Sequence, residues 1–191
     1  MPMSKAIKCR ETKLFFFSYG ELKSRVEDEK KSTGESELDI IKKKSSIGNE
    51  VFDVFISYSY LDDPVIPIAL SLLLRDNGCS SYLPERIDRN SGYIPSLGDI
   101  NKTRFVLKNS KSLIMVNGPK TSRSQWIPWE IGFISGATGK VAVSSTAEKE
   151  DKVKNREFLR LYPSVINVSG GLRIGDYQES GIPVREWVEW P

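Results

Sequence analysis

Across its 191 residues the chain carries 28 Lys+Arg against 25 Asp+Glu, 39% hydrophobic and 10% aromatic side chains, and no histidine. The net charge of +3 gives no reason to expect a nucleic-acid or anionic-membrane partner, and the length suits one sizeable core with an extension. Without histidine, Ser-His-Asp and Cys-His nucleophile pairs and imidazole-based zinc sites are excluded; Cys9 and Cys79 cannot make a four-thiolate site, so any catalysis falls to carboxylates.

Residues 1–50 are rich in lysine and glutamate, with blocks such as Glu27-Asp-Glu-Lys-Lys31 and Lys42-Lys-Lys44 that mark a solvated surface. Phe15-Phe16-Phe17 is too short, and too closely flanked by Glu11, Lys13 and Glu21, for a secretory core; it reads as a packing anchor. Leu22, Val26, Leu38 and Ile40-Ile41 place one or two short amphipathic helices here, broken at Ser32-Thr-Gly34. The expectation is an N-terminal helical extension over residues 1–50 and a principal domain with a C-terminal tail over 51–191. No run approaches the roughly 20 apolar residues of a membrane-spanning helix. With no leader pattern at the start, two free thiols and a cytoplasmic location are expected.

At Val51 the character changes. Val51-Phe-Asp-Val-Phe-Ile-Ser-Tyr58 is β-branched and aromatic almost throughout, the pattern of a strand buried on both faces. Asp62-Asp63-Pro64 then offers a cap and a first-turn proline, and Ile66, Leu70, Leu73 and Leu74 follow at helical spacing up to Asn77-Gly78. A second strand is expected over residues 79–83, with Cys79 as a small core residue. Residues 84–95 form a long, polar, proline-bounded connection. Ser96 caps a helix running to about Lys111, a third strand covers 112–116, a helix 125–135, a fourth strand 141–144, a helix 153–161 and a last strand 165–168.

Strands alternating with helices require a parallel sheet covered on both faces. The predicted fold is therefore α/β, a flavodoxin-like five-stranded parallel sheet with the N-terminal helical extension added. Ligands of such sheets sit outside the carboxyl ends of the strands, here the loops 57–63, 84–95 and 117–124.

Phosphate-binding glycine loops are missing. Gly136-Ala-Thr-Gly139-Lys140 has Ile134 and Val141 where a Walker loop needs Gly and Ser/Thr, and it precedes a strand; no dinucleotide fingerprint follows the first strand. The informative segment is Thr121-Ser-Arg-Ser-Gln-Trp-Ile-Pro-Trp-Glu-Ile-Gly132. Ser122 or Ser124 can cap a helix there, and Pro128 is tolerated only within its first turn. Trp126 and Glu130, four apart, share one face, and Glu130 is expected to face the crevice near the helix N-terminus, which favours its ionised form. Trp129 is expected in the core.

On these residues the chain resembles a bacterial Toll/interleukin-1 receptor (TIR) domain over residues 51–168. Phe52-Asp-Val-Phe-Ile-Ser-Tyr58 is similar to the family's first-strand motif, and Ser124-Gln-Trp-Ile-Pro-Trp-Glu130 matches its Ser-x-Trp-x-x-x-Glu pattern. A bacterial subgroup with Trp-Met-Pro-Trp-Glu-Leu-Gly is especially close to residues 126–132, although Ile127 replaces the cysteine of receptor-type domains. Residues 84–95 fall where the family has the BB loop, through which TIR domains self-associate.

The resemblance implies cleavage of the nicotinamide–ribose bond of NAD, with NAD as substrate, no cofactor and no metal, and with Glu130 as the catalytic carboxylate. The chemistry fits independently. The leaving group departs neutral from a pyridinium, so no general acid is needed, and an oxocarbenium-like ribose calls chiefly for a nearby carboxylate. Candidate substrate contacts are Trp126, Ser57, Tyr58, Tyr60, Asp62, Arg86 and Ser122. Trp126 either stacks on a nucleotide ring or closes the helix against the sheet, Asp62 is equally explained by turn and capping chemistry, and Arg86 and Arg89 either hold pyrophosphate or are solvated. The resemblance further implies a nucleotide signal in antiphage immunity, self-association, and a downstream effector that senses the product. The competing reading is a non-enzymatic TIR adaptor acting only through TIR–TIR contact. A flavodoxin-type response module lacks support, since Asp53 lies inside the first strand and Asp62-Asp63 after it.

Overall fold

The computed structural model describes residues 17–46, 51–85, 96–145, 157–168, 171–175 and 181–190. In chain order these form α1 (Tyr19–Thr33), α2 (Glu37–Lys44), β1 (Phe52–Ser57), α3 (Val65–Asp76), β2 (Ser81–Tyr82), α4 (Leu97–Lys108), β3 (Ser110–Asn117), α5 (Trp126–Thr138), β4 (Val141–Ser145), β5 (Ser164–Val168), β6 (Gly171–Gly175), β7 (Ile182–Pro183) and α6 (Val184–Glu189). Short 3-10 turns cover Thr121–Arg123 and Glu157–Leu161.

The sheet order is β2-β1-β3-β4-β5-β6-β7. Its first five strands are parallel, in the doubly wound order that reverses direction at β1, as expected of alternating strands and helices. β6 and β7 then add antiparallel to β5, so the sheet has two strands more than the sequence reading allows. The tail after β5 is thus sheet, and α6 closes it.

β1 is buried at every position, and its alternating side chains sort the core into two layers. Val54, Ile56 and Tyr58 join α1, α2, α3 and α6, while Phe55 joins α4 and α5 through Val106, Leu107, Ile127, Ile131 and Ile134. Helices therefore cover both faces. Ser96 and Asp99 form a reciprocal capping box at the start of α4, which ends at Lys108 instead of Lys111 because Ser110 already begins β3. Cys79 lies buried just ahead of β2, outside the strand. Of the helix expected over 153–161, only its last part is described, and that part is a 3-10 turn.

The charge-rich N-terminal helices are held by ion pairs across to α3. Glu29 is buried and accepts from Arg75 at 2.6 and 2.9 Å and from Arg25 at 3.2 Å, while Arg25 also pairs with Asp76. Hydrogen bonding from Arg75, aided by Arg25 and against the cost of burial, holds the Glu29 carboxyl down to about 2 from an ordinary value of 4.5. A folded value below the unfolded one means stability that is complete above about pH 4.5 and is lost as pH falls towards 2. Allowing for solvent at the partly exposed arginines, the loss attributable to Glu29 is about 2 kcal/mol. Urea unfolding at pH 7 and pH 3 checks this: Glu29→Gln should show the smaller drop between the two.

At the opposite end, Asp53 of β1 binds the chain's last helix. Burial pushes its carboxyl up, but the Lys111 ammonium and the Ser80 N–H and hydroxyl outweigh that and hold it below its ordinary value. Arg185 of α6 reaches the same carboxylate at 2.9 Å, and Lys140 caps α6 by donating to the carbonyls of Val188 and Trp190.

Candidate active site

Where the strand order turns at β1, the carboxyl ends of β1 and β3 lie side by side, ending in Ser57 and Asn117. Helix α5 covers that end. Its buried stripe consists of Ile127, Glu130, Ile131 and Ile134, so a carboxylate occupies a position where helical periodicity calls for an aliphatic side chain. Glu130 is 1% exposed and Ser57 0%. Ser57 faces the same layer as Phe55, two residues earlier on β1, and its Oγ donates to Glu130 Oε2 at 2.5 Å. A buried carboxylate costs several kcal/mol unless it is hydrogen-bonded, and the fold meets that cost with a hydroxyl mounted on the central strand.

Two expectations change here. Glu130 is the fifth residue of α5 and lies past the first turn, where the helix dipole acts most strongly; Ser57 is its donor instead. The carboxylate also does not stand open to a crevice but is closed from solvent.

Two of the three expected loops are tied to the residues after β1. The buried Tyr58 hydroxyl donates to the Pro84 carbonyl at 2.8 Å, joining the end of β1 to the chain beyond β2. Asp62 spans to the loop after β3: Oδ1 accepts from the Lys120 N–H at 2.9 Å, and Oδ2 lies 3.3 Å from Thr121 Oγ1, which itself accepts from the Gly118 N–H at 2.8 Å. Asp63, not Asp62, serves the start of α3, its Oδ1 accepting from the Val65 N–H.

Gly118 is required at this clasp, because a Cβ there would collide with the Asp62 carboxylate, which is not free to swing away. Gly118→Ala should therefore cost about 1–3 kcal/mol in thermal unfolding. On an Asp62→Ala background the same change should cost little, the non-additivity marking the contact.

Trp126 opens α5 half-buried, its ring edge-on to Trp129 at 5.8 Å between centroids. Trp129 is 36% exposed, against the expectation of a core position. It lies off the stripe set by Ile127, Glu130 and Ile134 and leans on Phe133 instead. Ser122 is exposed on the turn before α5, and Ser124, one residue ahead of the N-cap Gln125, accepts from the Ile127 N–H at 3.3 Å. Tyr60 is half-buried on the loop after β1. Arg86 and Arg89, with all of residues 86–95, lie outside the described residues. Sequence reasoning placed Gly118 and Thr121 in the loop 117–124 but gave neither its role in the clasp with Asp62. It also missed Asn117, whose buried amide donates to Ser145 at the end of β4. Burial pushes the Cys79 thiol up, the state of an unreactive core cysteine.

No family model matches the chain. It is 26% identical over 153 residues to a probable 3' cyclic ADP-D-ribose synthase ThsB' of Bacillus cereus (strain MSX-D12), a match spanning 74% of this chain and 77% of that protein. The resemblance to bacterial TIR-domain proteins of the NAD-cleaving kind, drawn from the two motifs, stands beside this relative.

Proposed function

We propose that this chain is a TIR-domain enzyme that breaks the nicotinamide–ribose bond of NAD and transfers the ADP-ribosyl carbon to water or to a hydroxyl of the same molecule. The observation that carries the proposal is Glu130, a hydrogen-bonded carboxylate in the apolar stripe of α5 at the switch point of the sheet. Packing alone gives no reason for a carboxylate there, and groups kept at a cost in stability cluster at functional sites. The relative's name, a synthase of a cyclic ADP-ribose, concerns the same chemistry.

In the proposed reaction the C1–N bond breaks with both electrons leaving on the nicotinamide nitrogen, which departs neutral. Positive charge develops on the ribose, and the Glu130 carboxylate stabilises it. The attacking hydroxyl or water then forms the new C1–O bond and gives up its proton, for which the same carboxylate is the acceptor at hand. Trp126, half-buried one turn before Glu130 on the same helix, offers an aromatic surface for a planar ring.

With Glu130 closed from solvent, the site has to open before substrate reaches it. That closure gives the activity a need for a trigger, for which we propose self-association, with the product acting as a signal in antiphage defence. The test is mass spectrometry of the small molecules formed when assembled protein is incubated with NAD. Nicotinamide together with ADP-ribose or a cyclic isomer supports the reading; unchanged NAD in a demonstrably assembled preparation overturns it in favour of an adaptor.

A further inference from the structure

We propose that Ser57 is a positioning residue: it fixes the Glu130 carboxylate in the orientation that the reaction uses, a role that rests on the function proposed above and extends it. Every other residue of β1 that packs towards α5 serves the core. Phe52 and Phe55 fill the layer between β1 and α5. Ser57 alone carries a wholly buried hydroxyl against α5, and the partner of that hydroxyl is Glu130.

A glutamate's last torsion is broad, so packing around its stem does not fix the plane of the carboxylate. A hydroxyl donor does, and this one sits on a strand buried along its whole length. The backbone of β1 is paired on both sides, and Ser57 itself is in register with Met115 of β3. The donor is therefore held by the sheet and not by a loop. A charge-assisted hydrogen bond from such a mount holds a carboxylate more precisely than a loop residue would. The Ser57 hydroxyl donates to Glu130, and the influence proposed for it on the substrate passes through that carboxylate.

The distinguishing property is that the loss falls on turnover and not on binding or folding. With the full chain assembled and NAD as substrate, Ser57→Ala is expected to lower kcat about 10- to 100-fold with KM within about twofold. Ser57→Thr, which keeps the donor, should retain kcat within about fivefold of the parent. On a Glu130→Gln background, Ser57→Ala should lower the residual rate no further. An Ala variant with parental kcat, or one whose loss appears in KM alone, overturns the proposal. So does an equal loss on the Glu130→Gln background, because the effect is then structural. Should the Ala variant fail to fold, Ser57→Cys is the deciding variant: it is close in size and a poor donor, so a parental rate for it overturns the proposal and a loss like that expected of Ala supports it. If the parent itself leaves NAD intact, the functional reading fails and this proposal falls with it, an outcome separate from an active parent with an indifferent Ser57.

Discussion

Glu130→Gln is expected to lower NAD turnover about a thousandfold, as removal of a principal charge-stabilising group does. The amide matches the carboxylate in shape and still offers Ser57 an acceptor, so the change removes charge and little else. Its effect on stability should be within about 1 kcal/mol of zero, because the lost charge-assisted bond is offset by the end of a buried charge. The pairing of the two readouts matters. A glutamate kept for the fold gives the reverse pattern, a large fall in the unfolding midpoint with turnover tracking the folded fraction. Steady-state nicotinamide release and urea unfolding on the same preparations decide between them.

The largest loss of stability is expected from Phe55→Ala, at about 3–5 kcal/mol. Phe55 is wholly buried in the middle of β1, stacked on Tyr82 of β2 at 5.7 Å with 23° between the rings. It belongs to the layer formed with Ile127 and Ile131 of α5. Truncation opens a cavity bounded by strands that cannot collapse into it, since β1 is paired on both edges. Because the missing ring lies between β1 and α5, the residual folded protein should also show weakened turnover, α5 being the carrier of Glu130. Denaturant unfolding monitored by circular dichroism measures the first effect and nicotinamide release the second.

The sequence made the central part of this fold legible because its periodicities are local. The unbroken apolar run of β1, the helical spacing of Ile66, Leu70 and Leu74, and the Ser96 capping box each state their structure within a few residues. The C-terminal additions could not be read that way. β7 is two residues long and β6 alternates between buried and half-buried positions over only five, so neither establishes a period.

Residues 19–44 look solvated because the lysines and glutamates dominate. Leu22, Val26, Ile40 and Ile41 still mark the two amphipathic helices and are buried as their spacing implies, but the pairing of Glu29 with Arg75, 46 positions away, exists only once the chain is folded. At the site, Glu130 was visible from its motif, whereas its closure from solvent and its dependence on Ser57 were not, for the partners are 73 residues apart. Trp129 misled for a simpler reason. Its bulk argues for the core, but its angular position on α5, set by Pro128 and the stripe of Ile127, Ile131 and Ile134, points elsewhere.

The bond from Tyr58 to Pro84 turns the last peptide of β1 into a two-armed brace. Its short arm is Ser57, whose hydroxyl touches the glutamate; its long arm is the tyrosine ring, whose tip is fastened to the carbonyl where the chain leaves the sheet's edge strand. Because the strand between the two arms is buried and paired, the tie fastens the chain beyond β2 to the same strand that steadies the glutamate.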